Sequence, residues 1–250
     1  MPRTHLSSTL RELGRGFVRL LYPGLCSVCQ APLPPEQDRF CTSCRAALTN
    51  DPFSTCPRCA ATVGPHALAS LKDGCTQCAS QSFRFERVLR LGPYEGLLRE
   101  VILRLKHLTS DGLAELMGEL WAEHLDAKLR DLRAGVIVPV PLHWRRRLER
   151  GYNQSLALTR GLAARLKLPI RTSWLRRIRN TPMQTEQTPS ARQANVRGAF
   201  QTTRKVSCGA SVLLVDDVMT TSATVNEAAA ALRTAGAGRV VVAVLARARG

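Results

Sequence analysis

The sequence predicts an α/β protein, a parallel sheet with flanking helices, preceded by a small cysteine-rich module. Three observations carry that prediction. Short all-apolar runs alternate with helical patterns from Val136 onward, the signature of strands covered on both faces. One of these runs, Val212–Val215, leads into Asp216 and Asp217 and then into Thr220, Thr221, Ser222, Ala223 and Thr224 at the start of a helical pattern. Four C-x2-C pairs precede all of this, between Cys26 and Cys78.

Taken in order, residues 1–22 carry Leu6, Leu10, Leu13 and Phe17 at helical spacing and predict a short amphipathic helix packed on the body. Residues 23–82 hold eight of the nine cysteines amid Pro, Ser and Thr, with little helical periodicity, and form the metal module. Residues 83–250 form the sheet domain. Arg87–Tyr94 is expected as a strand entering a turn at Glu95-Gly96, Leu97–Leu105 as a helix and Leu113–Leu132 as a longer one. Val136–Val140 is expected as a strand, Gln154–Leu166 as a helix, Val212–Val215 as a buried strand, Ala223–Ala235 as a helix ending at Gly236, and Val240–Leu245 as a further buried strand.

The cysteine pairs are Cys26/Cys29, Cys41/Cys44, Cys56/Cys59 and Cys75/Cys78. Two thiolates two residues apart on a tight turn bind one ion, and two such knuckles complete a tetrahedral site. Zinc suits four thiolates in a reducing compartment, so two structural Zn²⁺ ions are expected. Sequential pairing of the knuckles closes short local loops and is favoured over cross-bracing. Disulfides, an iron–sulfur cluster and a thioredoxin-like redox pair are the competing readings. The first lacks a secretion signal, and the last would need only one pair. Cys208 stands alone and is expected to be a buried, unreactive thiol.

The formal net charge is +17. Between His143 and Lys205, fifteen Lys and Arg stand against Glu149 and Glu186. Such a stretch points to a polyanion, either nucleic acid or a small polyphosphorylated ligand, with an Arg-rich solvated face as the plain alternative. No run of eighteen apolar residues is present and the N-terminus lacks the apolar core of a secretory signal, so a cytoplasmic protein without a membrane span is expected. The five histidines share no ligand or triad spacing; His143 alone adjoins the basic stretch.

The segment 212–224 carries the chemistry. Ligands of parallel sheets bind at the carboxyl ends of strands, and a helix N-terminus with hydroxyl residues and free amides binds anions. Two carboxylates beside such a site accept hydrogen bonds from vicinal ribose hydroxyls, which makes the segment a cradle for a ribose 5-phosphate. Helix capping alone explains one hydroxyl, not four in the five residues 220–224. A Walker B strand would need an upstream GxxxxGK[ST] loop, which the sequence lacks.

This segment resembles the phosphoribosyl-pyrophosphate loop of type I phosphoribosyltransferases. With the four C-x2-C pairs in front, the chain from Tyr22 to Ala248 resembles the ComF family of competence-related proteins. Supporting stretches are Tyr94–Lys106 (YEGLLREVILRLK), Val138–Gln154 (VPVPLHWRRRLERGYNQ), Thr181–Gln184 (TPMQ) and Ser190–Phe200 (SARQANVRGAF). The resemblance implies that Asp216 and Asp217 hold the ribose hydroxyls, and that Thr220, Thr221, Ser222, Ala223 and Thr224 hold the 5′-phosphate. It implies a pyrophosphate-binding turn after Val136–Val140 with Arg146, Arg147 and Arg150, a mobile hood over residues 181–200 carrying Arg192 and Arg197, and Lys106 facing pyrophosphate. The family pattern has Gly where this chain has Ser222, a substitution that strains the loop if the position needs φ > 0 and crowds the phosphate if it needs only close backbone approach.

Two functions follow. One is a phosphoribosyltransferase that takes phosphoribosyl pyrophosphate with Mg²⁺ and an acceptor the sequence does not name, stabilising an oxocarbenium-like transition state and a charged leaving group without a protein nucleophile. The other is a non-catalytic protein that binds single-stranded DNA through its basic surface, with Trp144, Tyr152, Trp174 and Phe200 as the aromatics available for stacking. A third reading makes the zinc module a docking site for a competence helicase or other uptake protein.

Overall fold

A computed structural model describes residues 24–34, 36–37, 39–64, 74–108, 110–180, 195–203 and 206–248. The expected N-terminal helix, Arg192 and most of the expected hood lie outside the described residues. The chain divides into two compact units, Met1–Leu48 and Thr49–Gly250.

The smaller unit is built on Cys26 and Cys29. The N–H of Cys26 donates to Ala31 O at 2.8 Å and that of Gln30 to Cys26 O at 2.9 Å. Gln30 takes the left-handed conformation at φ 62° that the tight turn demands. Helix α1 (Thr42–Thr49) brings in Cys44, which is buried with Cys26, Phe40 and Leu48. Thirty residues further on the larger unit repeats the knuckle. Cys56 N–H donates to Ala61 O and Ala60 N–H to Cys56 O, both at 2.9 Å, and Ala60 has φ 55°.

The larger unit carries a four-stranded, all-parallel sheet in the order β1-β6-β5-β2. The strands are β1 (Val88–Pro93), β2 (Val136–Pro139), β5 (Ser211–Met219) and β6 (Arg239–Arg247). A short antiparallel pair, β3 (Arg176–Arg177) with β4 (Phe200–Gln201), stands apart. The helices are α2 (Gly96–Arg104), α3 (Asp111–His124), α4 (Asp126–Asp131), α5 (Trp144–Arg150), α6 (Gln154–Leu166) and α7 (Ala223–Thr234). Alternate residues of the central strands face opposite layers: Val212 and Leu214 of β5 pack with Val225, Ala228, Ala229 and Leu232 of α7. Helix α6 packs on β2 and β5 and is itself covered by α3. That second layer is tight. A Cβ on Gly161 would lie 2.1 Å from Glu115 O, and one on Gly118 2.2 Å from Leu158 O, so glycine alone permits this approach of backbones.

Three expectations are corrected. The single helix over Leu113–Leu132 is two, because Leu125 leaves helical geometry (φ −114°, ψ 27°) and Asp126 opens a new turn closed by its ion pair with Arg130 at 2.8 Å. The strand over Val212–Val215 continues through Met219, since β6 pairs with it as far as Arg247. Cys208 is exposed rather than buried, on a turn that Gly209 closes at φ 77°.

Candidate functional site

Strand β2 stops at Pro139, opposite Val215, while β5 runs four residues further with β6 on its other flank. Val140 makes one last sheet contact, N–H to Val215 O at 2.8 Å, before the chain turns away into α5. On the side of Asp216–Met219 facing β2 the strand pairing therefore leaves a gap, at the carboxyl ends of parallel strands, where such sheets take ligands.

Asp216 and Asp217 stand in it, both partly buried. Asp216 Oδ1 accepts from Ser155 Oγ at 2.9 Å and from Asp217 N–H at 3.0 Å, and Asp217 Oδ1 accepts from Val218 N–H at 2.8 Å. Withdrawal from solvent, with the neighbouring Asp217 charge, pushes the Asp216 carboxyl up to about 8; the bond from Ser155 opposes that rise.

The loop 220–222 follows, then α7. Ser222 sits at φ −70°, ψ −3°, an ordinary right-handed conformation. The glycine-to-serine departure therefore costs no backbone strain. The Ser222 hydroxyl neither caps α7 nor points to the loop's own backbone; it donates to Gln81 Oε1 at 2.9 Å. No side chain caps α7 and no acid lies in its first turn, so its leading amides remain available to an anion. Thr220 is exposed and Thr221 and Thr224 are half-buried beside them, while Ala223 is buried.

The expected pyrophosphate turn is a helix. His143 Nδ1 accepts from Arg145 N–H at 3.4 Å and starts α5, and Gly151 ends it at φ 73°. Burial, then the charges of Arg145, Arg177 and Arg146, hold the His143 imidazole below its usual range, consistent with a neutral cap. Arg146 and Arg150, one turn apart, share the half-buried face of α5, and Arg147 is exposed. Burial and the Arg150 charge lower the Arg146 guanidinium. The Glu149 charge opposes them.

Sequence reasoning missed the segment that ties these parts together. Tyr152 Oη donates to Leu105 O, holding the end of α2 beside which the half-buried Lys106 stands. Asn153 caps α6 by accepting from Ser155 N–H at 3.1 Å and donates Nδ2 to Val140 O at 3.1 Å. Ser155 reaches Asp216. The stretch RGYNQ was visible in the sequence as a motif, but the reach of Tyr152, Asn153 and the following Ser155 to three separate segments is tertiary. Arg177 was also missed. It is buried against the Phe200 ring, its cation 5.4 Å from the centroid. Burial and then Arg146 lower it, and the Asp216 charge opposes them. Arg197 is exposed, its neighbour Gly198 donating N–H to Glu227 Oε2 of α7 at 3.0 Å.

The eight paired cysteines form two quartets, Cys26, Cys29, Cys41 and Cys44, and Cys56, Cys59, Cys75 and Cys78, with all ligand atoms of each within 4.8 Å of one another. This is the sequential arrangement. Four sulfurs tetrahedrally placed about 2.3 Å from zinc are about 3.8 Å apart. The observed Sγ···Sγ separations include 3.7 Å for Cys29–Cys41, 3.7 Å for Cys56–Cys78, 3.6 Å for Cys59–Cys75 and 3.8 Å for Cys75–Cys78. These spacings fit zinc and are far beyond a disulfide; all nine cysteines are free. Burial, reinforced by neighbouring thiols, pushes Cys44 and Cys59 up, while hydrogen bonds bring Cys41 down to about 6. A divalent cation resolves that crowding of negative charge.

A phosphoribosyl transferase domain model matches residues 153–250. The DNA utilization protein YhgH of Salmonella typhi is 30% identical over 231 residues, 91% of this chain and 99% of that protein. Competence protein F of Haemophilus influenzae is 27% identical over 89% of this chain and 96% of its own, and competence protein ComFC of Bacillus subtilis 27% over 80% of each. Among solved structures, the allosteric regulatory enzyme of purine biosynthesis matches 57% of this chain and 30% of its own, with 19% identity and a TM-score of 0.39. Among the described residues no helix is long and apolar enough to cross a membrane. The chain belongs to the ComF family, whose members here are named for DNA utilization and competence.

Proposed function

We propose that this protein binds phosphoribosyl pyrophosphate, as its magnesium complex, in the gap beside β5, and serves the cytoplasmic handling of incoming DNA or its nucleotides. The observation that carries the reading is the placement of two carboxylates directly before an uncapped helix N-terminus rich in hydroxyls. Asp216 and Asp217 accept from the ribose hydroxyls, and Thr220–Thr224 with the first amides of α7 take the 5′-phosphate. Arg146 and Arg150 take the pyrophosphate, with Lys106 as a further cation for it. Transfer to an acceptor would cleave the C1′–O bond through an oxocarbenium-like state, for which these cations neutralise the leaving group while the site orients the ribose. Magnesium, arriving with the ligand, adds charge neutralisation on the pyrophosphate oxygens. Calorimetry with phosphoribosyl pyrophosphate and Mg²⁺ tests the reading: binding by the wild type, lost in Asp216→Asn/Asp217→Asn with the fold retained, is expected. Equal binding by the variant would remove the loop from the site.

A second reading rests on α5. Trp144 is 56% exposed with the Arg145 cation 5.3 Å from its ring, beside exposed Arg147. An open indole among arginines suits stacking of a base with phosphates alongside. Single-stranded DNA binding that falls steeply with salt and weakens in Trp144→Ala is expected; a flat salt response would count against it.

A further inference from the structure

We propose that the second cysteine quartet is part of the scaffold of the loop Met219–Ser222, with Gln81 as the positioning residue that ties the Cys75–Cys78 knuckle to the loop. The inference deepens the reading that this loop holds a phosphate. It rests on contacts within the larger unit alone.

Gln81 is three residues beyond the last ligand, and its N–H donates to Cys78 O at 3.0 Å, so its backbone is set by the knuckle. Arg58, between Cys56 and Cys59, closes the other side by donating to Cys78 O at 2.8 Å and Gln81 O at 2.6 Å. The Gln81 amide is oriented at both ends. Its Nε2 donates to Gln77 O at 2.7 Å, which leaves Oε1 to accept from Ser222 Oγ at 2.9 Å. Ser222 is thus bonded to a residue whose position the quartet dictates.

Arg247, at the end of β6, holds the other end of the loop. It is 7% exposed and donates Nη1 to Met219 O at 3.0 Å and also to Thr220 O. Burial lowers its guanidinium, and the nearby sulfurs of Cys59, Cys75 and Cys78 act against that. A tetrathiolate zinc centre carries about two negative charges. Arg247 is a buried cation, as is Arg90, and it clamps the first carbonyls of the loop. The quartet also shares a core with the sheet, since Phe83 packs against both, and Arg84 N–H donates to Asn226 Oδ1 of α7 at 2.7 Å. The loop is held by Gln81 at one end, by Arg247 at the other, and its helix by Arg84.

Hydrogen exchange on the zinc-loaded full chain, without ligand, tests this. Gln81→Ala should speed exchange of the two amides that donate to the loop's carbonyls, Asn226 N–H to Ser222 O and Ala248 N–H to Met219 O, about fivefold while zinc content and the exchange of β6 stay as in the wild type. Gln81→Glu, which keeps an acceptor for Ser222 but loses the donor to Gln77 O, should fall between the wild type and Gln81→Ala. Ser222→Ala should reproduce Gln81→Ala, with no further increase in the double variant. Wild-type exchange in Gln81→Ala, or a rise accompanied by zinc loss, would overturn the proposal. The exchange readout is separate from phosphoribosyl pyrophosphate binding: a wild type that fails to bind it refutes the site reading, while the exchange rates still decide the scaffold.

Discussion

Ser155 Oγ and Asp216 Oδ1 are 2.9 Å apart, a hydrogen bond between the first turn of α6 and the end of β5. It places a donor from a helix on the carboxylate whose ionisation burial opposes. Ser155 is thereby a positioning residue for Asp216. Ser155→Ala removes the donor and leaves Asp217 N–H as the remaining bond to that oxygen. Affinity for phosphoribosyl pyrophosphate with Mg²⁺ at pH 7 should fall about tenfold, as for the loss of a bond to a charged group of about 1.5 kcal/mol. Raising the pH should recover most of it. Calorimetry across pH checks both, and a pH-independent deficit would show that Ser155 acts otherwise.

The same carboxyl predicts proton release. With Asp216 pushed up to about 8 by withdrawal from solvent and by Asp217, the free protein holds a proton there at pH 7. Ribose hydroxyls need an acceptor, so binding expels that proton. Calorimetry at pH 7 in buffers of differing ionisation enthalpy should report about one proton released per ligand, falling to none well above pH 8. The sign for stability runs the other way from that of a paired carboxylate. The folded state binds more protons than the unfolded one between about pH 4 and 8, so the contribution of Asp216 declines as pH rises through that window. Asp216→Asn should flatten this dependence in chemical denaturation.

Zinc should leave in two phases. The first quartet has Cys29 exposed and Cys41 partly exposed, whereas all four sulfurs of the second belong to buried residues. About two zinc ions per chain are expected by metal analysis. A chromophoric chelator should remove one rapidly and the other much more slowly. Cys29→Ser should abolish the fast phase alone. A single phase of two ions would indicate that burial does not protect the second site.

What the sequence made legible follows from the range over which each feature is encoded. The parallel strands were visible because all-apolar runs are local, and the helix Gln154–Leu166 was expected with the bounds the structure shows. The sequential quartets were visible because a knuckle is closed by its own backbone. The acids before a hydroxyl-rich helix start were visible for the same reason. Helix α5 was read as a turn, since seven residues dominated by arginine have no apolar face to give a period. Ser155, Gln81, Arg177 and Arg247 escaped because their partners lie far away in the chain. The effect of Ser222 depended on its φ, which no side-chain pattern reveals.

The strongest stability prediction concerns Arg90, on the edge strand β1. Its guanidinium grips Asp51 with two bonds, Nε to Oδ2 at 2.8 Å and Nη2 to Oδ1 at 2.9 Å, and donates Nη1 to Ala60 O at 3.0 Å and Thr62 Oγ1 at 2.9 Å. The side chains are 2% and 17% exposed, so little solvent screens them. Removing one partner of such a pair strands the other charge in the interior, at a cost of about 3–5 kcal/mol. The Arg87–Asp131 pair has the same length class, 2.9 Å, but side chains 39% and 67% exposed. Water replaces a lost partner there, and its deletion should cost under about 1 kcal/mol. Asp51→Ala should therefore destabilise the larger unit severalfold more than Asp131→Ala in urea denaturation. Because Arg90 also holds the carbonyl of Ala60, next to the ligand Cys59, Asp51→Ala should in addition speed zinc release from the second quartet and leave the first unaffected. Equal destabilisation by the two variants would mean that the Arg90 pair is hydrated in solution.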